Sequence, residues 1–416
     1  MLVASSADTG ILPIQGGAGK LRFNPHVTDI MFALVTSLDL DTLNGNQELN
    51  AFFVQSKPMI DVRAPVEFAK GAFPSASNLP LLDDQEREAV GTCYKESGHD
   101  EAVKLGHRLV SGEKKSKRIS RWVSFIEQND TALLYCFRGG QRSQLACEWL
   151  RAEGFPIERI EGGYKRMRTH LLNVFESLPP VLIMSGKTGS GKTQVIEHFE
   201  AMIDLEGLAH HRGSAFGAHL EPQPSQIDFE NRTAIAFLKC QFDRLAHDDQ
   251  KPVVLEDESR LIGRISMPLP LQTSMKAAPI MVLEETLEHR VGNIHNEYIV
   301  EQWRSYQERF GTDAGEHFSN YLLKAIDAIK KRLGGVAHAE IRQWMITAMA
   351  ALIERNDPSQ HRQWIERLLT DYYDPMYEYQ LSQKQDRVQI VGNAAALRAW
   401  YQDRYEGEIG APVQET

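Results

Sequence analysis

The sequence predicts an α/β protein, two α/β domains in series followed by a helical C-terminal region, on the strength of three observations. An apolar strand at Thr131 to Tyr135 runs into Cys136, a Gly-Gly pair and a helix. A second apolar strand, Val181 to Met184, feeds another glycine-rich loop with a helical stretch behind it. Short apolar runs at Val253 to Leu255 and Pro279 to Leu283 then alternate with helical stretches, the pattern of a parallel sheet with crossover helices. At 416 residues the chain exceeds one ordinary core. With 42% hydrophobic and 25% charged residues it has the composition of a globular protein with ample apolar material to bury.

In chain order, residues 1–40 read as an N-terminal extension in which Gly16, Gly17, Gly19 and Lys20 only imitate a phosphate loop, because the full spacing is absent. The first domain is expected over residues 41–177. A buried strand from Met59 ends at Asp61, and Pro65, Gly71, Pro74 and Pro80 punctuate a loop-rich stretch before a charged helical segment. The helix behind Cys136 is expected from about Arg142 to Glu153, with Leu145, Trp149 and Leu150 on one face and Gly154 closing it. Leu178, Pro179 and Pro180 break the chain, so the second α/β domain is expected over 178–290. After about Leu287 the pattern turns helical; a helical region is expected over 291–416, with a turn at Gly334-Gly335 and an aromatic cluster from Tyr372 to Tyr379.

Composition excludes several classes. No run approaches the roughly 20 apolar residues that span a bilayer, and the start lacks the basic-then-apolar order of a signal peptide, so a cytoplasmic protein with no membrane partner is expected. Cys93, Cys136, Cys147 and Cys240 form no CxxC pair, which argues against a disulfide framework or a zinc cage. The net charge of −10 argues against a nucleic-acid partner, since phosphate neutralisation dominates such affinity. Two local basic runs offset it: Lys114, Lys115, Lys117, Arg118 and Arg121, then Lys165, Arg166, Arg168 and His170. They are the candidate contacts for an RNA backbone, although each also reads as an ordinary solvated face.

Cys136-Phe-Arg138-Gly139-Gly140-Gln141-Arg142-Ser143 places one cysteine between a strand and a helix, where converging N–H groups and the helix dipole favour an anion. Gly139 and Gly140 let the loop curl into a nest, and Arg138 and Arg142 are expected to favour the thiolate and attract an anionic sulfur or selenium donor. The second loop, Gly186-Lys187-Thr188-Gly189-Ser190-Gly191-Lys192-Thr193, has the GxxxxGK[ST] spacing in its proper strand-loop-helix context. Its N–H groups would wrap a di- or triphosphate, with Lys192 on the outer phosphate and the Thr193 hydroxyl placed for magnesium. Glu256, Asp257 and Glu258 emerge from a strand end as candidate magnesium or substrate contacts, and Arg212 and Ser214 in a polar glycine-containing segment join them. His210 and His211 lack a third ligand at suitable spacing, and no tightly bound metal is expected.

Upstream residues decide between a cysteine phosphatase and a sulfurtransferase. Ile60-Asp61-Val-Arg63, Glu67-Phe68, Gly71 and Asn78-Leu-Pro80 resemble the opening signature of rhodanese sulfurtransferases, and Glu161-Gly162-Gly163 resembles the segment closing that domain. Cys136 is then the chalcogen-carrying cysteine, with Asp61 and Arg63 mainly structural. From Met59 onward the chain resembles the tRNA 2-selenouridine synthase family. Besides the two loops, the match runs through Val90 to Lys95, Leu105 to His107, Asp204 to Gly217, Leu255 to Arg260 and Tyr372 to Tyr377. The resemblance implies a rhodanese-like α/β domain followed by a P-loop NTPase-like α/β domain. It also implies a transferase acting on tRNA bearing wobble 2-thiouridine: geranyl diphosphate alkylates the sulfur, then selenophosphate supplies the selenium that replaces it. No tightly bound cofactor is implied beyond these substrates and magnesium. Cys93 matches a family position, as a loop residue or a second thiol, while Cys147 and Cys240 read as core. The rival readings are a rhodanese serving a small acceptor with a regulatory nucleotide domain, a tRNA-binding scaffold and a small-molecule kinase.

Overall fold

The computed structural model describes residues 46–246 and 251–405, so the N-terminal extension with its Gly16 to Lys20 imitation lies outside the described residues. Four short parallel strands form the first sheet: β1 (Met59–Asp61), β2 (Ala76–Asn78), β3 (Leu133–Tyr135) and β4 (Glu158–Arg159), in the order β2-β1-β3-β4. The chain leaves β1 to one side and β3 to the other, which makes their carboxyl ends a topological switch point, the place where open parallel sheets bind ligands. Cys136 follows β3 there. The helix behind it spans Gln141–Ala152, one residue earlier at each end than the sequence pattern suggests, and Trp149 and Leu150 pack it on the core.

The second sheet has five parallel strands: β5 (Val181–Gly186), β6 (Met202–Ile203), β7 (Val253–Glu256), β10 (Ile280–Leu283) and β11 (Val388–Gly392), in the order β11-β10-β5-β7-β6. A small antiparallel pair, β8 (Leu261–Ile262) and β9 (Ile265–Ser266), stands apart. The central strands are wholly buried, as parallel sheets covered on both faces must be. β7 and β6 lie on one side of β5 and β10 and β11 on the other, so the carboxyl end of β5, carrying the glycine-rich loop, is the switch point of this sheet. The region after Leu287 is helical with one exception. β11 returns to pair with β10, and the helix Ala394–Tyr405 seals that edge with Leu397 and Tyr401.

The two sheets are tied by the helix Gln226–Ala246, which packs against the first domain's helices Gln47–Val54 and Gly163–Val174. Its polar contacts are specific. Asp228 accepts from the Ala72 N–H at 2.8 Å, Asn231 donates to the Ala72 carbonyl at 2.8 Å, and Arg168 donates to Asn231 at 2.8 Å and pairs with Glu230.

Candidate functional site

Asp61 and Arg63 hold the first loop region in place from below. Arg63 Nε donates to both Asp61 oxygens at 3.1 and 2.8 Å, its Nη2 donates to the Gly71 carbonyl at 2.9 Å, and the guanidinium lies 3.8 Å from the Tyr164 ring centre. Both side chains are buried, so the Asp-x-Arg signature is an internal brace. Asn78 donates to the Asp61 and Arg63 carbonyls and pins β2 to the same turn.

The cysteine loop rests on the glycine pair that closes the domain. Gly163, at φ +56°, sits so close beneath the loop that a Cβ would fall 2.2 Å from the Cys136 carbonyl oxygen. Tyr164 and Lys165 N–H groups donate to the Cys136 and Phe137 carbonyls at 2.9 and 3.0 Å. The Cys136 sulfur is 3.2 Å from Ser143 Oγ, which also donates to the Gly140 carbonyl at 2.9 Å. With its proton on that carbonyl Ser143 accepts from the thiol; rotated, it donates to a thiolate. Arg142 departs from expectation. It is bonded to Glu67 at 2.5 and 3.2 Å, so its charge is largely spent on that carboxylate, and Arg138 is left as the exposed cation of the loop. Burial pushes Glu67 up, but Arg142 outweighs it and holds the group below its ordinary value. Gln141 meets His99 at 3.1 Å, which brings the helix His99–Leu109 to the rim.

The other cysteines separate from this one. Burial pushes the Cys147 thiol up to about 11 and the Cys240 thiol up to about 12, so both stay protonated and unreactive near neutrality. Cys93 lies within the helix Asp84–Ser97 rather than in a loop.

In the phosphate loop, Gly189 and Gly191 take φ of +81° and +78°, a region open to glycine. Lys192 Nζ donates to the Gly186 carbonyl at 3.1 Å, and Thr193 donates to Glu256 at 2.8 Å. Ser190 Oγ is buried with no protein partner. The loop is braced from behind: Arg290 donates to the Thr188 carbonyl and grips Asp374, and Asn293 donates to the Gly189 carbonyl. Lys187 is held by Glu378 at 2.7 Å.

Two carboxylates that sequence reasoning missed, Asp204 and Glu206, join Glu256 and Glu258 in one cluster, of which Glu206 and Glu258 feel the charge of Lys192. Burial first, then mutual repulsion, raises Glu206 and Glu256 well above the usual carboxylate range, and burial raises Glu258. Asp257 turns away, taking Ser185 and Lys384 as partners. The missed pair lies inside the Asp204 to Gly217 segment, which gave the available signal. Among the described residues no group of three His, Cys, Asp or Glu side chains is arranged to hold a metal by itself. His210 stacks on His219 at 4.3 Å.

Beside this cradle lies a small apolar cavity of about 20 Å³ that the sequence did not reveal. Thr188 and Ser214 line its polar end together with Tyr298 and Tyr373. Each tyrosine comes from a π-helical turn, Asn296–Glu301 and Leu369–Tyr373, a distortion that often marks functional sites. Arg212 lies 4.9 Å from the Tyr298 ring centre, with a buried Nη1 that has no protein partner. Phe216, Ile294, Trp364, Ile365, Leu368 and Leu369 form the apolar depth.

The basic runs are less available than their sequence suggests. Lys114 and Arg118 both bind Glu86, Lys117 binds Glu113, and Lys115 covers Trp149. Arg166 and Arg168 pair with Glu48 and Glu230, and His170 is buried against Asn50, its pKa lowered to about 4 by burial. Arg121 and Lys165 remain exposed.

Comparison with known proteins agrees with this anatomy. Residues 45–170 match the rhodanese-like domain, and residues 179–408 match the tRNA 2-selenouridine synthase AAA domain. A protein of Shewanella denitrificans named tRNA 2-selenouridine synthase is 50% identical over 359 residues, covering 85% of this chain and 96% of that protein. Proteins of the same name from Shewanella halifaxensis and Marinobacter nauticus are 49% and 47% identical, each pairing covering 85% of this chain and 96% of the relative. No helix among the described residues is long and apolar enough to cross a membrane. Matched through both domains at this identity and coverage, the chain belongs to the tRNA 2-selenouridine synthase family.

Proposed function

We propose that this tRNA-modifying enzyme converts wobble 2-thiouridine to 2-selenouridine in two stages, S-geranylation from geranyl diphosphate and then selenation from selenophosphate. The observation that carries the first stage is the phosphate loop with Lys192, where the buried Ser190 Oγ and Arg212 Nη1 have no protein partner and a phosphate would satisfy them. The diphosphate would lie against the loop with Lys192 and Arg212. As the thiocarbonyl sulfur attacks the first prenyl carbon, the carbon–oxygen bond breaks. Lys192 and the loop N–H groups stabilise the charge that develops on the departing diphosphate.

The residues fit a magnesium ion brought in with the phosphates. Thr193 and Glu256 stand together, and the burial and mutual repulsion that raise the Glu206 and Glu256 carboxyls are what a bound cation would relieve. Magnesium commonly binds through one or two carboxylates plus substrate phosphates, keeping several waters. It would supply charge neutralisation to the diphosphate.

Cys136 serves the second stage. Alkylated sulfur is a good leaving group, so the selenium of selenophosphate held at the Cys136 loop can add at the base carbon and expel geranylthiol, after which water cleaves the selenium–phosphorus bond to release phosphate and leave 2-selenouridine. Nucleoside mass spectrometry of 2-thiouridine tRNA, incubated with geranyl diphosphate and then selenophosphate, tests the assignment. A geranyl mass gain followed by replacement with selenium is expected. Cys136→Ala should stop at the geranylated base, and Lys192→Ala should slow the geranylation that precedes it. No change in the base at either stage with cognate tRNA would refute the reading and favour a sulfurtransferase with a nucleotide-regulated second domain.

A further inference from the structure

We infer that Phe137 is the platform on which the target base of the tRNA stacks at the Cys136 loop, with Arg138 beside it for a flanking phosphate. The inference rests on the proposed reading of Cys136 as the selenation site and adds which residues hold the base there.

The first observation is an exposed ring on a rigid support. Phe137 follows Cys136 directly and is 36% exposed, whereas Cys136 and the strand before it are buried. Single exposed apolar residues are ordinary on a protein surface, so exposure alone carries nothing. The support sets this one apart. The Phe137 ring stacks on the Tyr164 ring at 6.0 Å and 23°, and buried Tyr164 lies in turn against the Arg63 guanidinium that Asp61 fixes from below. Phe73 packs on Tyr164 at 5.1 Å, and the Lys165 N–H holds the Phe137 carbonyl at 3.0 Å. The stack rises from the buried ionic brace to a last ring that reaches solvent beside the nucleophile. A ring fixed in this way loses little freedom when a ligand settles on it.

The second observation is charge. Arg138 is exposed, and its guanidinium stands 5.9 Å from the Phe137 ring centre. That exceeds the contact distance of about 3.5–4 Å, so it flanks the ring without covering it. Lys165 is exposed as well. Among the described residues neither makes an ion pair, whereas Arg142, Arg166 and Arg168 are neutralised by Glu67, Glu48 and Glu230. An aromatic face with free cations at its edge suits single-stranded RNA, whose unpaired bases splay out and stack on aromatic rings while Lys and Arg track the phosphates. A wobble base lies in such a loop, and its reactive carbon must come to Cys136, one residue from the ring. A small anionic acceptor would need the cations but no aromatic face.

The test measures binding of the whole protein to an anticodon stem-loop RNA carrying 2-thiouridine at the wobble position, and to the same RNA lacking that base. Wild type should prefer the intact stem-loop by roughly 5–150-fold, the contribution of one base stacked on an aromatic ring. Phe137→Leu stays apolar but removes the aromatic face, and should bind both RNAs alike. Phe137→Tyr restores the face and should restore the preference. In selenation of geranylated tRNA by selenophosphate, Phe137→Leu should raise KM by about the same factor and change kcat less. Melting temperature reports the fold of each variant. A folded Phe137→Leu that keeps the wild-type preference, or a wild type that has none, would overturn the platform assignment; the second result needs no variant to fold. A wild type that prefers the intact RNA yet neither geranylates nor selenates it would instead remove the proposed function itself.

Discussion

Replacing Asp61 by Asn removes one charge from a buried pair without changing its volume. Asp61 is fully buried and Arg63 is 2% exposed, and the guanidinium reaches the carboxylate with both Nε and Nη2. Breaking such a pair from one side leaves an uncompensated buried charge at a cost of about 3–5 kcal/mol. In a domain of this size that corresponds to a fall of roughly 10–20 °C in the transition to which the first sheet contributes. Scanning calorimetry at neutral pH measures it. The double variant Asp61→Leu with Arg63→Met removes both charges and should recover at least half of the loss, because nothing charged then stays buried unpaired. A fall of less than about 1 kcal/mol for Asp61→Asn, or a double variant no better than the single one, would refute the view that the Asp-x-Arg signature is an internal ionic brace.

Lys192→Ala should lower kcat/KM for geranyl diphosphate by about 10–150-fold, the worth of one charge-assisted hydrogen bond, while Cys136 remains open to alkylation. Glu206 titrates above its unfolded value. Its contribution to stability is present below the unfolded value of about 4.3 and is lost as pH rises through the raised folded one. Glu206→Gln should therefore raise the melting temperature more at pH 8 than at pH 5, and an equal effect at both would contradict the buried-carboxylate account. Arg118→Glu should destabilise the fold by stranding Glu86. By contrast Lys165→Glu should leave melting unchanged, weaken tRNA binding and flatten its salt dependence by about 0.9 in log–log slope for each phosphate no longer neutralised. Unchanged binding and slope for Lys165→Glu would clear that face of an RNA role.

Both anion loops were legible in the sequence because each is local. A strand, a glycine-rich turn and a helix are contiguous, so residue type and spacing fix where Cys136, Lys192 and Thr193 stand relative to their own backbone. The same locality explains why Asp61, Arg63 and the closing Gly162-Gly163 could be assigned to the cysteine domain. What tertiary structure alone decided involves partners far apart in the chain. Arg142 reads as a cation for the cysteine until Glu67, 75 residues earlier, is brought against it. Lys114, Arg118 and Arg168 read as basic surface until folding supplies Glu86 and Glu230. β11 is only half buried and sits among helices, so no period marked it, yet pairing with β10 makes it part of the sheet. The cavity draws on Thr188, Ser214, Phe216, Ile294, Tyr298 and the run from Trp364 to Tyr373, each of which looks in sequence like ordinary core. Periodicity says that a side chain is buried; only packing says which distant side chains it meets.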